Sequence, residues 1–372
     1  MKILFPIKSF YPAQSGGPSN TIYWHSKELA NQEVIPYVVT SDNDIIDNTI
    51  VRNKWIYKYN FPTFYSTNRS NKFAFNLTYN AIKKIKSVDI VHLNSLFYPP
   101  NFIILLAGLL LKKTIICSVR GELESFALSQ GNKTLKKLII FLYKRISSYI
   151  YFHGTSESEL KNISLAFPNH RDSFCLMNYM DLPNIIKIEK EKQFLFIGRI
   201  NRIKAIHKII EGVFLSKKFR SQGFKLVIAG TGDKKYLGYL NTLIKKYNLE
   251  GCVKILGRRV EGIDKQKLFA QSYFTLLLSE TENFGNVVIE SMSQATPVIT
   301  SIGTPWSILN ELNIGYHVSN SPQGIAQTFD NAIELEEFEY NIRSEKSLKY
   351  VYDQFDIKKN IVNWLNIYKN LS

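Results

Sequence analysis

Residues 279–300, SETENFGNVVIESMSQATPVIT, constrain this chain more than any other stretch. An apolar run from Tyr273 to Leu278 leads in and predicts a buried strand. Residues 279–283 are polar and turn-like. Gly285 opens a helical stretch with Val288, Ile289 and Met292 at helix spacing, and Pro297-Val298-Ile299-Thr300 reads as the next strand. Two acids, Glu282 and Glu290, therefore fall at the mouth and in the first turns of a helix that follows the carboxyl end of a strand. That is where open α/β sheets bind ligands.

The chemistry of this stretch suits an anion and a polyol. Backbone N–H groups around Phe284, Gly285 and Asn286 face a phosphate or sugar oxygen, helped by the helix dipole, and Gly285 permits close approach. Glu290 accepts hydrogen bonds from a diol such as a ribose, and Glu282 sits nearer the reacting sugar. An acidic, solvent-facing helix start reads equally well from spacing alone.

Glu282-Asn283-Phe284-Gly285 with Glu290, followed by Thr296-Pro297-Val298, resembles the E-x7-E motif of retaining GT-B glycosyltransferases of family 4. With Gly303-Thr304-Pro305-Trp306 added, the string is similar to bacterial enzymes that build surface polysaccharides such as O-antigen and capsule. The resemblance runs over nearly the whole chain and is most specific over residues 194–306. It implies a GT-B fold, two doubly wound Rossmann-like α/β domains facing a central cleft. It also implies retaining transfer of a hexosyl or N-acetylhexosaminyl group from a UDP- or GDP-linked sugar to a growing saccharide on a lipid carrier. No cofactor and no metal are implied.

Within that resemblance, Gly198-Arg199-Ile200 and Lys204 match G-R-[LI]…K-G, with Ala205 in place of the second Gly. Arg199 and Lys204 are then the diphosphate clamp, two fixed cations at the lip of a sheet where a leaving group gains negative charge. Surface charge is the competing reading. Gly230-Thr231-Gly232-Asp233 is the family's next turn, and backbone atoms around Arg258 and Arg259 are expected against the nucleotide base.

In the first half, residues 2–7, 21–30 and 34–40 predict an opening βαβ unit. Gly16 and Gly17 lie in its loop, where paired glycines allow backbone N–H groups to approach a phosphate; a flexible turn is the alternative. The G-x-G-x-x-G fingerprint is absent, which argues against a nicotinamide dehydrogenase. Residues 88–94 match the family's D-[IV]-[IV]-H-x-H, with Asn94 for the second His. His92 at a strand end is more often structural than catalytic. Arg120-Gly121-Glu122-Leu123 resembles an R-G-x-L branch, with Arg120 where the family commonly has a donor-contacting His. Arg120 offers a fork of donors to an acceptor or donor phosphate. Glu122 and Glu124 either contact the acceptor or pair with Arg120.

The chain of 372 residues suggests about two domains, set at 1–187 and 188–355, with a terminal helix at 356–372 returning to the first. The net charge of +16 points to anionic partners: nucleotide-sugar phosphates, anionic lipid or nucleic acid. Nucleic acid is disfavoured because no aromatic-interleaved basic patch or known module is apparent. Residues 133–146, KTLKKLIIFLYKRI, predict a basic amphipathic helix that either lies on anionic lipid or presents a solvated lysine face. The longest apolar run, residues 102–111, is about half of the roughly 20 residues a spanning helix needs. MKILFPIK reads as a first strand and not a signal peptide. A cytoplasmic protein, peripheral at the inner face of the membrane, is expected. Cys117, Cys175 and Cys252 are far apart and form no metal or redox pattern. A GT-B sugar-nucleotide epimerase is the enzymatic alternative, but it lacks the pairing of E-x7-E with an upstream G-R…K.

Overall fold

A computed structural model describes residues 1–13, 17–45, 49–67 and 74–372. It divides into two units, Met1–Asp181 with Phe355–Ser372, and Leu182–Gln354. Residues 182–187, expected in the first domain, belong to the second unit. The Gln294 side chain accepts from Ile186 N at 3.0 Å and donates to Asn184 O at 3.2 Å, and the Tyr352 hydroxyl donates to Pro183 O at 2.8 Å.

Unit 1 holds strands β1 (Lys2–Ile7), β2 (Ile35–Ser41), β3 (Trp55–Ile56), β4 (Thr63–Ser66), β5 (Ile90–Asn94), β6 (Thr114–Ser118), β7 (Ile150–Gly154) and β8 (Asp172–Cys175). They form one sheet in the order β3-β4-β2-β1-β5-β6-β7-β8, with only β3 and β4 antiparallel. The strands read as near-continuous apolar runs because both faces are covered. On one face Leu4, Val39, Val91 and Cys117 pack with Leu77, Ala81, Ile104 and Leu105 from helices Phe75–Ile85 and Pro99–Leu110. On the other, Phe5, Val38, Ile90 and Ile116 pack with Ile22 and Leu29 of helix Gly17–Asn31 and with Ile361, Trp364 and Tyr368 of helix Ile357–Leu371.

Unit 2 holds β9 (Gln193–Ile197), β10 (Lys225–Ala229), β11 (Val253–Ile255), β12 (Phe274–Leu277), β13 (Val298–Ser301) and β14 (Gly315–Val318). Their order is β11-β10-β9-β12-β13-β14, all parallel. This is the doubly wound order in which the winding reverses between the first strand and the fourth. In folds of this order, ligands bind in the crevice outside the carboxyl ends of those two strands. Here they are β9 and β12, and the G-R…K and E-x7-E segments follow them directly.

Candidate functional site

The loops after β9 and β10 lie backbone to backbone. Gly198 N donates to Ala229 O at 3.0 Å, and Ile200 N to Thr231 O at 2.9 Å. A Cβ on Gly230 would stand 1.9 Å from Gly198 O, and one on Gly232 2.0 Å from Ile200 O. The G-x-G turn is thus glycine because no side chain fits between the two loops.

Beyond it, residues 201–208 run alongside the loop after β12. Glu280 N donates to Ile203 O at 2.8 Å. Lys208 Nζ meets Glu280 at 2.6 Å, and Lys204 Nζ is ion-paired with Glu282. The clamp lysine and the acid expected at the moving sugar are therefore one pair. The Glu282 backbone is fixed by N–H donation to Gly303 O at 2.9 Å. Ala205, which departs from the family's Gly, has φ +49° and ψ +32°, the left-handed region that explains why glycine is usual there. Arg199 is exposed and forms no ion pair with the described residues.

Gly285 has φ +80°, and a Cβ there would approach Leu277 Cδ2 to 2.5 Å. It caps helix Asn286–Met292. Trp306 Nε1 donates to Phe284 O at 2.5 Å, tying the Gly303–Trp306 segment to the helix entry. Glu290, one turn along that helix, receives Lys265 Nζ on both carboxylate oxygens, at 2.6 and 2.7 Å. Sequence reasoning missed Lys265, which lies 25 residues from its partner on helix Gly262–Gln271. Arg258 is exposed at the turn after β11, and the neighbouring Arg259 pairs with Glu261 at 2.5 Å.

The candidate residues of unit 1 form a different kind of centre. His92 Nδ1 shares a hydrogen bond with the Tyr368 hydroxyl at 2.8 Å, and its Nε2 with Ser118 Oγ at 2.7 Å. The Tyr368 hydroxyl also reaches His25 Nε2 at 2.8 Å, and Ser118 Oγ reaches His153 Nδ1 at 2.7 Å. Burial pushes His92 well below its usual range, and pushes His25 and His153 down to about 3. The Arg120 guanidinium acts in the same direction on all three. His92 is 1 % exposed and engaged at both nitrogens, so it holds the centre together and is not placed to touch a substrate. No motif in the sequence marks His25, His153 or Tyr368 as members of this centre.

Arg120, at φ +58°, does not pair with Glu122 or Glu124. Its guanidinium donates to Asn94 Oδ1 at 2.9 and 3.3 Å and to Asn178 Oδ1 at 2.6 Å. The two departures from the family pattern, Arg120 and Asn94, are thus partners. Glu122 accepts from Ser95 Oγ at 2.6 Å, Leu96 N at 2.5 Å and Phe97 N at 3.1 Å, which anchors the turn before helix Pro99–Leu110. These contacts give Glu122 a structural task in place of the expected acceptor contact. Gly17 is the first residue of helix Gly17–Asn31, while Gly16 lies outside the described residues.

Residues 181–349 match the family model for glycosyl transferases group 1. An uncharacterised glycosyltransferase of Methanocaldococcus jannaschii is 31% identical over 184 residues, 49% of this chain and 45% of that protein. The N-acetyl-alpha-D-glucosaminyl L-malate synthase of Bacillus anthracis is 29% identical over 185 residues, 48% and 46% of the two chains. The chain thus spans less than half the length of these curated relatives. The crystal structure of Anabaena HepE with UDP and glucose superposes with a TM-score of 0.76 at 16% identity, covering 99% of this chain and 100% of that one. That likeness shows the fold, two Rossmann-like parallel-sheet units of the GT-B type.

Proposed function

We propose that this chain, whose second unit is a group 1 glycosyl transferase domain, moves a hexosyl or N-acetylhexosaminyl group from a UDP- or GDP-linked sugar to a growing saccharide on a lipid carrier, with retention. The observation that carries the reading is the switch point of unit 2. Its two strands deliver Arg199 and Lys204 from one loop and Glu282 from the other, with Glu290 one helix turn further on. As the bond from the anomeric carbon to the diphosphate breaks, charge builds on the leaving oxygen. Cations already present there, Lys204 held by Glu282 and Arg199 at the surface, lower the barrier because less solvent must reorganise. Glu290 takes the ribose hydroxyls, and Glu282, paired with Lys204, contacts the moving sugar. The leaving phosphate receives the acceptor's proton on the face where the new bond forms, so no separate base is needed.

The relatives support the donor class: HepE was solved with UDP and glucose. The acceptor, and a role in surface polysaccharide, rest on the likeness of residues 279–306 to enzymes of that kind. A thermal-shift panel of nucleotide sugars identifies the donor. Single-turnover transfer in chelator, with the anomeric configuration read by NMR, then tests the reaction. An inverted product, a chelator-sensitive rate, or no donor shift in the panel each overturns the corresponding clause.

A membrane-facing role for unit 1 is supported by helix Lys133–Ile146. It leaves Leu135, Leu138 and Phe141 about half exposed among its lysines. Among the described residues no helix is long and apolar enough to cross a membrane, so contact would be by charge and shallow insertion.

A further inference from the structure

We propose that Lys265 is a positioning residue that sets the site's preference for a ribose over a 2′-deoxyribose, an inference that rests on Glu290 being the ribose acceptor. Lys265 Nζ bonds both oxygens of Glu290, at 2.6 and 2.7 Å, from a neighbouring helix. The side chains of Lys265 and Glu290 are only 28% and 20% exposed. The Lys265 ammonium also lies 5.8 Å from the centroid of the Phe269 ring, one turn along its own helix. An ammonium held this way does two things. It locks the Glu290 carboxylate in one orientation, leaving its remaining lone pairs aimed in fixed directions for two hydroxyls. It also offsets the carboxylate's charge, which would otherwise repel the diphosphate of the same ligand. A freely turning, uncompensated carboxylate would bind a diphosphate poorly and would bond equally well to one hydroxyl or two. Lys265 itself touches no substrate in this arrangement.

The test compares UDP with 2′-deoxy-UDP, and GDP with 2′-deoxy-GDP, by calorimetry on the whole chain. For whichever pair binds, the wild type is expected to favour the ribonucleotide by about tenfold or more, the worth of one charge-assisted hydrogen bond. Lys265→Met, which keeps the stem, should weaken ribonucleotide binding and shrink the preference to about threefold or less. It should raise KM for the donor with kcat little changed, and Lys265→Arg should restore most of the preference. If Lys265→Met weakens both nucleotides equally and leaves their ratio intact, the lysine only supports the fold and the inference is overturned. If Glu290→Gln collapses the ratio while Lys265→Met keeps it, Glu290 stands as the ribose acceptor and the role of Lys265 fails. A wild type with no preference, together with a silent Glu290→Gln, overturns the ribose reading itself.

Discussion

The two units wind their sheets alike about their first strand, yet put opposite chemistry at the carboxyl ends of the strands around the reversal point. Unit 1 runs β2-β1-β5-β6 where unit 2 runs β10-β9-β12-β13. At the carboxyl ends of β9 and β12 stand charged pairs that remain partly in water, Lys204 with Glu282 and Lys208 with Glu280. On β5, β6 and β7 stand His92, Ser118 and His153, buried and held neutral. Topology therefore places a crevice but does not dictate its electrostatics. Unit 2 keeps these charges partly in water, whereas unit 1 seals His25, His92 and His153 into a hydrogen-bonded core beside the Arg120 guanidinium, itself held by Asn94 and Asn178.

The largest test of this contrast strikes the exposed charges. Arg199→Ala or Lys204→Ala is expected to slow single-turnover transfer by about 10²–10³, the range for losing one electrostatic donor. Glu282→Gln should also impair transfer, and more mildly in a Lys204→Met background, where the pair is already broken. Rates near wild type in both cation variants would remove the clamp. Glu290→Ala should weaken donor binding by roughly 1–3 kcal/mol in calorimetry, as for lost charge-assisted hydrogen bonds; unchanged affinity in a folded variant takes Glu290 out of the site.

Unit 1 should respond to acid instead. Folding holds His25 and His153 at about 3, against about 6.5 in an unfolded chain. Above pH 6.5 neither state binds the proton, and the stability is fully present. Below it the unfolded chain takes up protons that the folded chain refuses. Stability then falls by about 1.4 kcal/mol per histidine for each pH unit, until the folded groups titrate near 3. Denaturant midpoints report it, followed by tryptophan fluorescence with Trp24, Trp55 and Trp306 replaced by Phe so that the signal is that of Trp364, whose ring lies tilted against His92 and edge-on to His153. A midpoint that is flat between pH 7 and 5 contradicts the buried, neutral assignment. The smallest effect per residue is at the surface: each basic residue of helix Lys133–Ile146 near anionic lipid contributes about 1 kcal/mol. Sedimentation with anionic vesicles should be lost at high salt; equal binding to neutral vesicles, or none to either, rules the contact out.

What was legible in the sequence was local. The strand at 273–278, the turn and helix around Gly285 and the G-R…K segment each announce themselves within about ten residues, because apolar period and glycine placement are short-range signals. Pairing across elements was not legible. Lys265 finds Glu290 only because two helices pack side by side, and no spacing rule links them. The histidine centre draws on helix Gly17–Asn31, three strands and helix Ile357–Leu371. A weak signal was present: His25 lies on the same helical face as Ile22 and Leu29, an unusual place for an imidazole. Arg120 and Asn94, 26 residues apart in the chain, meet only through the fold, by hydrogen bonds from the guanidinium to Asn94 Oδ1.

Helix Ile357–Leu371 carries Tyr368 and Trp364 into the heart of unit 1. A ribosome delivers these residues only after the whole of unit 2 has emerged. The domain that is synthesised first is thus completed last. During translation its three histidines must wait without the phenol that joins two of them, while unit 2, continuous in the chain, can close without any later segment. The nascent protein should therefore close unit 2 before unit 1 is sealed, reversing the order in which the two were begun.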